Sequence, residues 1–317
     1  MESELQRFLR ETTVNAALRT DPRALVEADS NSSVQDTLHL MKKHSILSVP
    51  VYGRVGHWIG AGGNTSAVTA DKQYIGIVSV VDILYYLYNA PEKEAALTKR
   101  VVDAIGASME GRSLWVTRRD SSLAAAVEPL SKLVHRCLVP VEGLGFSLLT
   151  QTDVVRFIYT HVQRKADDVF GMTVGQCLSF IERAQQKPRI LVTATSAHTV
   201  GNTLDYMHDQ WTQAVPIVNA SSGALEGTLS CSDFRGLDST NIRPVCAMTV
   251  AEFLADKKQW QVGAPSNVSC LRSHTVGEVV GKLLLHHVHR AWVVDEFDRP
   301  EDLLSFTDIL CAIRMSD

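Results

Sequence analysis

Four aspartates occupy the same place in a repeated pattern, each three residues after a serine or threonine. The four segments are Ser79–Asp82, Thr150–Asp153, Ser230–Asp233 and Ser305–Asp308. Each follows a run of β-forming residues and opens an amphipathic segment such as DILYYLY. An ionised carboxylate only accepts hydrogen bonds, and it can accept them from two neighbouring hydroxyl groups. Four such carboxylates at helix starts therefore predict four copies of one hydroxyl-binding geometry.

The same segment also has a purely structural interpretation. Ser/Thr-x-x-Asp is a common helix-capping pattern, and a single copy is far more often a cap than a binding site. Four copies in phase, each after an equivalent strand, favour a functional role for some of them. We expect two or three of the four sites to bind ligand.

The elements that must position these aspartates recur as well. A hydroxyl residue that can cap a helix precedes each copy, and apolar residues follow it at helical spacing. These caps are Ser33, Ser122, Thr199 and Thr275. A short apolar run comes next (SVPVY, LVPVE, AVPIV or AWVVD), and then a second strand. The repeated module is strand, helix, strand, strand, helix, which predicts an α/β (α+β) fold of four repeats.

Three of the apolar runs carry a proline in the order Val-Pro-Val/Ile, at Pro50, Pro140 and Pro216. Proline has no N–H to donate to a neighbouring strand. These strands are therefore predicted either to lie at sheet edges or to have a position that needs no N–H.

The repeats predict four units, at 24–90, 110–162, 188–240 and 265–314, after an N-terminal segment 1–23. The first unit is longer than the others, and its excess falls in a stretch rich in Gly, Ser and Thr. This stretch predicts an inserted loop at 53–73. Connectors between units are predicted at 91–100, 163–176 and 238–266.

Composition narrows the class of protein. Of 317 residues, 45% are hydrophobic and 21% are charged, which is typical of a soluble chain with a large core. A net charge of −4 argues against a nucleic acid partner, and the absence of an apolar run of about 20 residues argues against a membrane span. The N-terminus has no apolar signal region. Six scattered cysteines without a Cys-x-x-Cys pair predict buried thiols, and hence cytoplasm or nucleus.

Other residues that could do chemistry have simpler explanations. His286, His287 and His289 lack acidic or thiol partners at ligand spacing, so no metal site is predicted. The glycines of GAGGN lack the strand-then-helix setting of a dinucleotide-binding loop. Trp211 and Trp292 are predicted to be core residues. No pairing of nucleophile and base stands out, so no catalytic residue is predicted.

This order of elements, with the Val-Pro-Val strand and the terminal Ser/Thr-x-x-Asp, resembles the cystathionine-β-synthase (CBS) domain over about residues 24–314. A chain of four such repeats resembles the gamma regulatory subunit of AMP-activated protein kinase and its fungal and plant counterparts. The most specific signs are two dipeptides, His135-Arg136 and His289-Arg290, and the stretches VHRAWVVDE and SFTDIL. The stretches GRSLWV and LLTQTDVVRF resemble the plant gamma-like subgroup.

The resemblance implies a fold and a function. The repeats would pair through their sheets, 1 with 2 and 3 with 4, giving two Bateman modules in a disc-like arrangement. The chain would be a non-catalytic regulatory subunit of a heterotrimeric SNF1-related or AMP-activated serine/threonine kinase. It would bind AMP, ADP or ATP, with an alpha-type catalytic subunit and a beta-type subunit as partners.

The resemblance also assigns roles to residues. The ribose hydroxyls would be held by Asp82, Asp153, Asp233 and Asp308. Other hydroxyl and phosphate contacts would come from Ser79, Thr150, Ser230, Ser305, Thr307, His135, Arg136, His289 and Arg290. Arginine suits phosphate because its planar guanidinium offers two parallel donors.

Three departures from the family pattern limit these roles. Leu47 stands where the animal pattern has an arginine, and the segment from Thr150 to Asp153 lacks its basic residues. Weaker phosphate binding is therefore expected in the first pair, and repeat 4 carries the strongest prediction. Repeat 4 also lacks the usual glycine between its strands, so its turn is expected to be distorted. The alternatives are a scaffold with degenerate sites, or a CBS sensor of another adenosyl ligand acting on a different target.

Overall fold

The protein is described by a computed structural model over residues 3–18, 25–54, 69, 71–107, 114–143, 145–162, 169–186, 189–257 and 267–316. Each repeat begins with a strand of two residues, continues with a helix and two antiparallel strands, and closes with a helix or a helical turn. This confirms the predicted order of elements. The exact bounds of the four units stay predictions.

The chain begins with two short helices, α1 (Glu4–Glu11) and α2 (Val14–Ala17). Repeat 1 comprises β1 (Ala28–Asp29), α3 (Val34–Lys43), β2 (Ser48–Gly53), β3 (Gln73–Ser79) and α4 (Val80–Asn89). Helix α5 (Lys93–Leu97) and a 3-10 turn, Val101–Ala104, follow it. Most of the insertion predicted at 53–73, including GAGGN, lies outside the described residues.

Repeat 2 comprises β4 (Trp115–Val116), α6 (Leu123–Leu130), β5 (Arg136–Val141), β6 (Gly145–Thr150) and α7 (Gln151–Val162). It is followed by α8 (Val174–Gln185). Repeat 3 comprises β7 (Ala194–Thr195), α9 (Val200–Asp209), β8 (Ala214–Val218), β9 (Leu225–Ser230) and a 3-10 turn, Cys231–Phe234. Two helices come next, α10 (Ile242–Val245) and α11 (Val250–Lys257). Repeat 4 comprises β10 (Ser269–Cys270), α12 (Val276–Leu285), β11 (Arg290–Val294), β12 (Pro300–Ser305) and α13 (Phe306–Met315).

Each repeat forms a three-stranded sheet in which the middle strand is parallel to the first strand and antiparallel to the third. The three proline-containing strands are the middle ones, so the edge interpretation was wrong. The physical reason is the shortness of the first strand. In repeat 1 it pairs only with Val51 and Tyr52, beyond Pro50. No residue of the first strand is therefore paired with Pro50, so no hydrogen bond to that strand is lost through its missing N–H.

The four repeats close a ring through two kinds of contact. The sheets of repeats 1 and 2 pack together around Tyr74 and Phe146, and those of repeats 3 and 4 around Trp292. One helical core joins repeats 2 and 4, and a second joins repeats 1 and 3. The predicted sheet pairing is therefore confirmed, and the helices supply the contacts between the two pairs.

The predicted connectors contribute helices to these cores. An isolated β-bridge ties the start of each repeat's first helix to a neighbouring segment that contains a helix. The bridged pairs are Thr13 with Ser122, Ser33 with Arg100, Thr173 with Thr275 and Thr199 with Thr249. In the described part of the chain, no helix has the length and apolar character that crossing a membrane requires.

Two local features differ from expectation. In repeat 3 the predicted helix at Asp233 is only a 3-10 turn, because the backbone is extended at Arg235 and left-handed at Gly236, where φ is +91°. In repeat 4 the turn between strands forms without a glycine. Asp298 takes the left-handed conformation, with φ of +57°, where the turn of repeat 3 uses Gly223. Aspartate tolerates this conformation better than most residues do.

Candidate functional site

The four aspartates all act as helix caps. In each repeat Oδ2 of the aspartate accepts hydrogen bonds from the backbone N–H and the hydroxyl of the serine or threonine three residues earlier, at 2.5–3.1 Å. The predicted helix cap is therefore present in every repeat, and its hydrogen bonds occupy one oxygen of each carboxylate. The other oxygen decides whether a ligand can be held as well.

The four carboxylates differ in their access to solvent. Asp82 is fully buried, at 0% exposure. Asp233 and Asp308 are nearly buried, and Asp153 is partly exposed. Of the four, only Asp308 is among the described residues that border the cavity between the repeats. The ribose contacts assigned to all four stay predictions.

This cavity has a volume of about 500 Å³ and lies where the four repeats meet. Equivalent positions of the repeats border it. One set directly precedes or begins the middle strand: Leu47, His135, Gln213 and His289. The second set follows the capping residue: Val80 and Val81, Gln151 and Thr152, Cys231 and Ser232, Phe306 and Thr307. The cavity therefore has fourfold pseudo-symmetric walls with different chemistry on each side.

One backbone feature explains why these positions meet. Three residues before the first residue of each middle strand, the chain turns through a non-glycine residue in the left-handed conformation, with φ between +52° and +67°. These residues are Ser45, Leu133, Trp211 and His287. A left-handed residue just after a helix ends it abruptly. The reversal brings the residues that follow it to the cavity wall.

Both His-Arg pairs border the cavity. His135 and Arg136 come from repeat 2, and His289 and Arg290 come from repeat 4. The structure therefore brings together the four basic residues that the sequence assigned to phosphate.

Hydrogen bonds between repeats hold the wall of the cavity. The Arg136 guanidinium donates to Ser48 Oγ of repeat 1. Gln213 Nε2 of repeat 3 lies 3.1 Å from His135 Nδ1. Gln151 Nε2 donates to Thr307 Oγ1 of repeat 4 at 2.9 Å.

Positive charge is concentrated at this wall. The His289 side chain is exposed to water at the cavity, although many protein atoms lie near it. Burial, reinforced by Arg290, Arg136, His135 and Arg235, lowers the pKa of His289 to about 4. Burial also lowers the pKa of Arg290, while Asp233 and Asp308 oppose this shift. The positive charge that disfavours protonation of His289 also favours the binding of an anion in the cavity.

The pKa of His289 makes stability depend on pH. Because its folded-state pKa lies below the ordinary value of 6.5, the unfolded chain takes up the proton first as pH falls from 7 to 5. Stability present above pH 6.5 is therefore lost as pH falls towards 4. We expect this loss to be about 1 kcal/mol between pH 7 and 5 after allowing for screening by cavity water. Urea unfolding at both pH values should show a smaller loss for His289→Gln. The exposed His39→Gln control should match wild type, and an unchanged loss in His289→Gln would contradict the assignment.

Trp211 was predicted to be a core residue, and this is wrong. It is 43% exposed and borders the cavity, because it occupies the left-handed position after α9. His208 lies beside it, with ring centroids 5.7 Å apart, and stacks on Tyr85 at 4.1 Å. Leu133 occupies the equivalent position in repeat 2, so an alignment of the two repeats could have placed Trp211 in this turn. Trp292, by contrast, is 1% exposed, and its Nε1 donates to Thr228 Oγ1 at 2.8 Å, which confirms its core placement.

Arg189 was not anticipated at all. It precedes β7 and reaches repeat 4, where its Nη1 donates to Asp308 Oδ1 at 2.7 Å. Its Nε donates to Asp302 Oδ1 at 2.9 Å, and its Nη2 to the Leu303 carbonyl at 2.8 Å. Burial opposes the charge of Arg189, yet the two carboxylates outweigh it and raise its pKa. No repeat signal marks this arginine, because its position has no counterpart in the pattern.

Comparison with known proteins identifies the fold and its relatives. No protein-family model matches the chain. The SNF1-related protein kinase regulatory subunit gamma-like PV42a of Arabidopsis thaliana is 29% identical, over 92% of this chain and 92% of its own length. The pig 5'-AMP-activated protein kinase subunit gamma-3 is 23% identical over 98% of this chain and 57% of its own length. The chain is therefore similar to these kinase gamma subunits along nearly its whole length.

The solved structures agree with this fold. A Methanocaldococcus jannaschii protein, proposed to be an archaeal homologue of gamma-AMPK, superposes with a TM-score of 0.67 at 17% identity. The match covers 94% of this chain and 99% of the archaeal one. The predicted fold of four CBS repeats in two sheet-paired modules is therefore confirmed, as is the resemblance to the plant gamma-like group.

Proposed function

We propose that this chain is a non-catalytic regulatory subunit that binds an adenine nucleotide in the central cavity. One observation carries the proposal: His135-Arg136 and His289-Arg290, from opposite pairs of repeats, line a single cavity. The regulatory role of the gamma-type relatives supports it. The scaffold and adenosyl-sensor alternatives receive no comparable support.

The dimensions and chemistry of the cavity suit AMP, ADP or ATP. Its volume of about 500 Å³ falls within the range of small-molecule sites. The guanidinium groups of Arg136 and Arg290 would bind phosphate, with His135, His289 and Thr307 beside them. The apolar wall, which includes Leu47 and Trp211, would take the base. Phosphate at one wall and the base at another would fix the nucleotide in one orientation.

The proposed partners are an alpha-type catalytic subunit and a beta-type subunit of a serine/threonine kinase. The names of the relatives, which are kinase gamma subunits, support this assignment. If nucleotide binding changes the kinase, the kinase must change nucleotide affinity by the same factor. Cytoplasm or nucleus is the proposed location, supported by six cysteines that form no disulfide.

The proposal is tested by thermal unfolding with and without nucleotide. At a concentration 100-fold above Kd, AMP, ADP or ATP should stabilise the chain by about 2.7 kcal/mol. Inorganic phosphate at equal concentration is the control for a non-specific anion effect. No stabilisation at millimolar nucleotide would contradict the sensing role. Co-purification with kinase alpha- and beta-type subunits tests the regulatory role, and association that ignores nucleotide would indicate a scaffold.

A further inference from the structure

Asp308, the aspartate that the sequence most strongly predicts to bind ribose, already accepts hydrogen bonds on both carboxylate oxygens. Asp308 Oδ2 accepts hydrogen bonds from the N–H and the hydroxyl of Ser305. Its Oδ1 accepts from the Arg189 guanidinium at 2.7 Å. Because the cap takes both acceptor positions of Oδ2, a vicinal diol would need both acceptor positions of Oδ1. Arg189 stands in one of those positions.

Arg189 is held too firmly for a neutral diol to displace. Its three donor nitrogens each have a separate acceptor, on Asp308, Asp302 and Leu303. The side chain is only 21% exposed, and those of the two aspartates are 12% exposed. A hydrogen bond between a guanidinium and a carboxylate is roughly twice as strong as one between neutral groups. Removal of the arginine would also leave two nearly buried carboxylates uncompensated.

The other three clamp aspartates do not replace Asp308 in the cavity. Asp82 is fully buried beneath its own cap. Neither Asp153 nor Asp233 is among the described residues that border the cavity. The basic residues around His289 and Arg290 do border it. Recognition in this cavity therefore falls on phosphate and base.

We infer that Arg189 withdraws Asp308 from ribose binding, so that the cavity accepts nucleotides with or without a 2′,3′-diol. The inference rests on the proposed function, since it concerns the same cavity. It specifies the ligand class further: an anionic nucleotide recognised through its phosphates and its ring. It also makes Arg189 the residue that determines specificity for the sugar.

The test compares AMP with 2′,3′-dideoxy-AMP by isothermal titration calorimetry on three proteins. These are wild type, the double variant Arg189→Ala/Asp302→Asn, and Arg272→Ala. The double variant removes the arginine and one carboxylate charge together, which keeps the net charge around Asp308 unchanged. Arg272 is the matched control, because it pairs with Glu301 at 3.1 Å and approaches Asp302 at 3.9 Å. Thermal unfolding of each variant confirms that it is folded.

We expect the two ligands to bind wild type and Arg272→Ala with Kd values within about twofold of each other. In the double variant AMP should bind about tenfold more tightly than the dideoxy analogue, since Asp308 is then free to accept from the diol. Wild-type discrimination equal to that of the double variant would overturn the inference while leaving nucleotide binding intact.

The remaining outcomes separate the two claims. If AMP binds only the double variant, the proposed sensing function fails and the role of Arg189 stands. If AMP binds none of the folded proteins, both are overturned.

Discussion

Replacement of Arg290 by alanine is expected to weaken AMP, ADP and ATP binding about 30- to 100-fold, because one charge-assisted contact to phosphate contributes about 2–3 kcal/mol. Arg290 is partly buried at the cavity wall, and burial lowers its pKa. At a partly buried wall an anionic phosphate gains more from the guanidinium than it would on the open surface. Calorimetric titration of the purified chain measures the effect directly.

Two further variants make this result specific. Arg290→Lys keeps the charge but loses the planar pair of donors, so its affinity should fall between those of wild type and Arg290→Ala. Arg118→Ala removes an exposed arginine that pairs with the nearby Asp120, and this variant should bind like wild type. If a folded Arg290→Ala protein binds nucleotide as tightly as wild type does, phosphate is not held at this wall.

Phe253→Ala is expected to lower the free energy of unfolding by about 3–5 kcal/mol, the usual cost of deleting a fully buried phenylalanine. Phe253 lies on α11 at 0% exposure and stacks on Phe234, with ring centroids 5.1 Å apart. It belongs to the helical core that joins repeats 1 and 3. The stretch 238–266, predicted as a connector, would thus be shown to hold the ring together.

Urea unfolding followed by circular dichroism measures this loss. Phe297→Ala is the matched control, because Phe297 is 63% exposed at the tip of the repeat 4 hairpin. The control should stay within about 0.5 kcal/mol of wild type, as surface substitutions generally do. Equal effects of the two substitutions would show that α11 does not pack as described.

Several features of the fold could be predicted because they depend on local sequence. A capping hydroxyl followed by apolar residues at helical spacing specifies a helix start wherever it occurs, as at Ser33 and Thr275. The same local rule predicted the caps at the four aspartates. The prediction that the Pro50 strand lies at a sheet edge failed. The first strand has only two residues, and the sequence carries no strong signal for a strand so short.

Other features depend on which distant segments meet. Helices α1, α5 and α11 are short, and a short helix is stable mainly through its tertiary contacts. Leu5 and Leu9 of α1 are buried against repeats 2 and 4, which the sequence of α1 does not reveal. The position of Trp211 likewise depends on the left-handed turn that follows α9.

The sequence by itself determined the repeat, the caps, the sheet pairing implied by the family and the basic residues of repeats 2 and 4. These follow from spacing within each module and from residue chemistry. Only the tertiary structure decided that His135, Arg136, His289 and Arg290 share one cavity, and that Arg189 holds Asp308. The physical reason is distance along the chain. Arg189 and Asp308 are 119 residues apart, and no local rule relates a guanidinium to a carboxylate until the ring of four repeats closes.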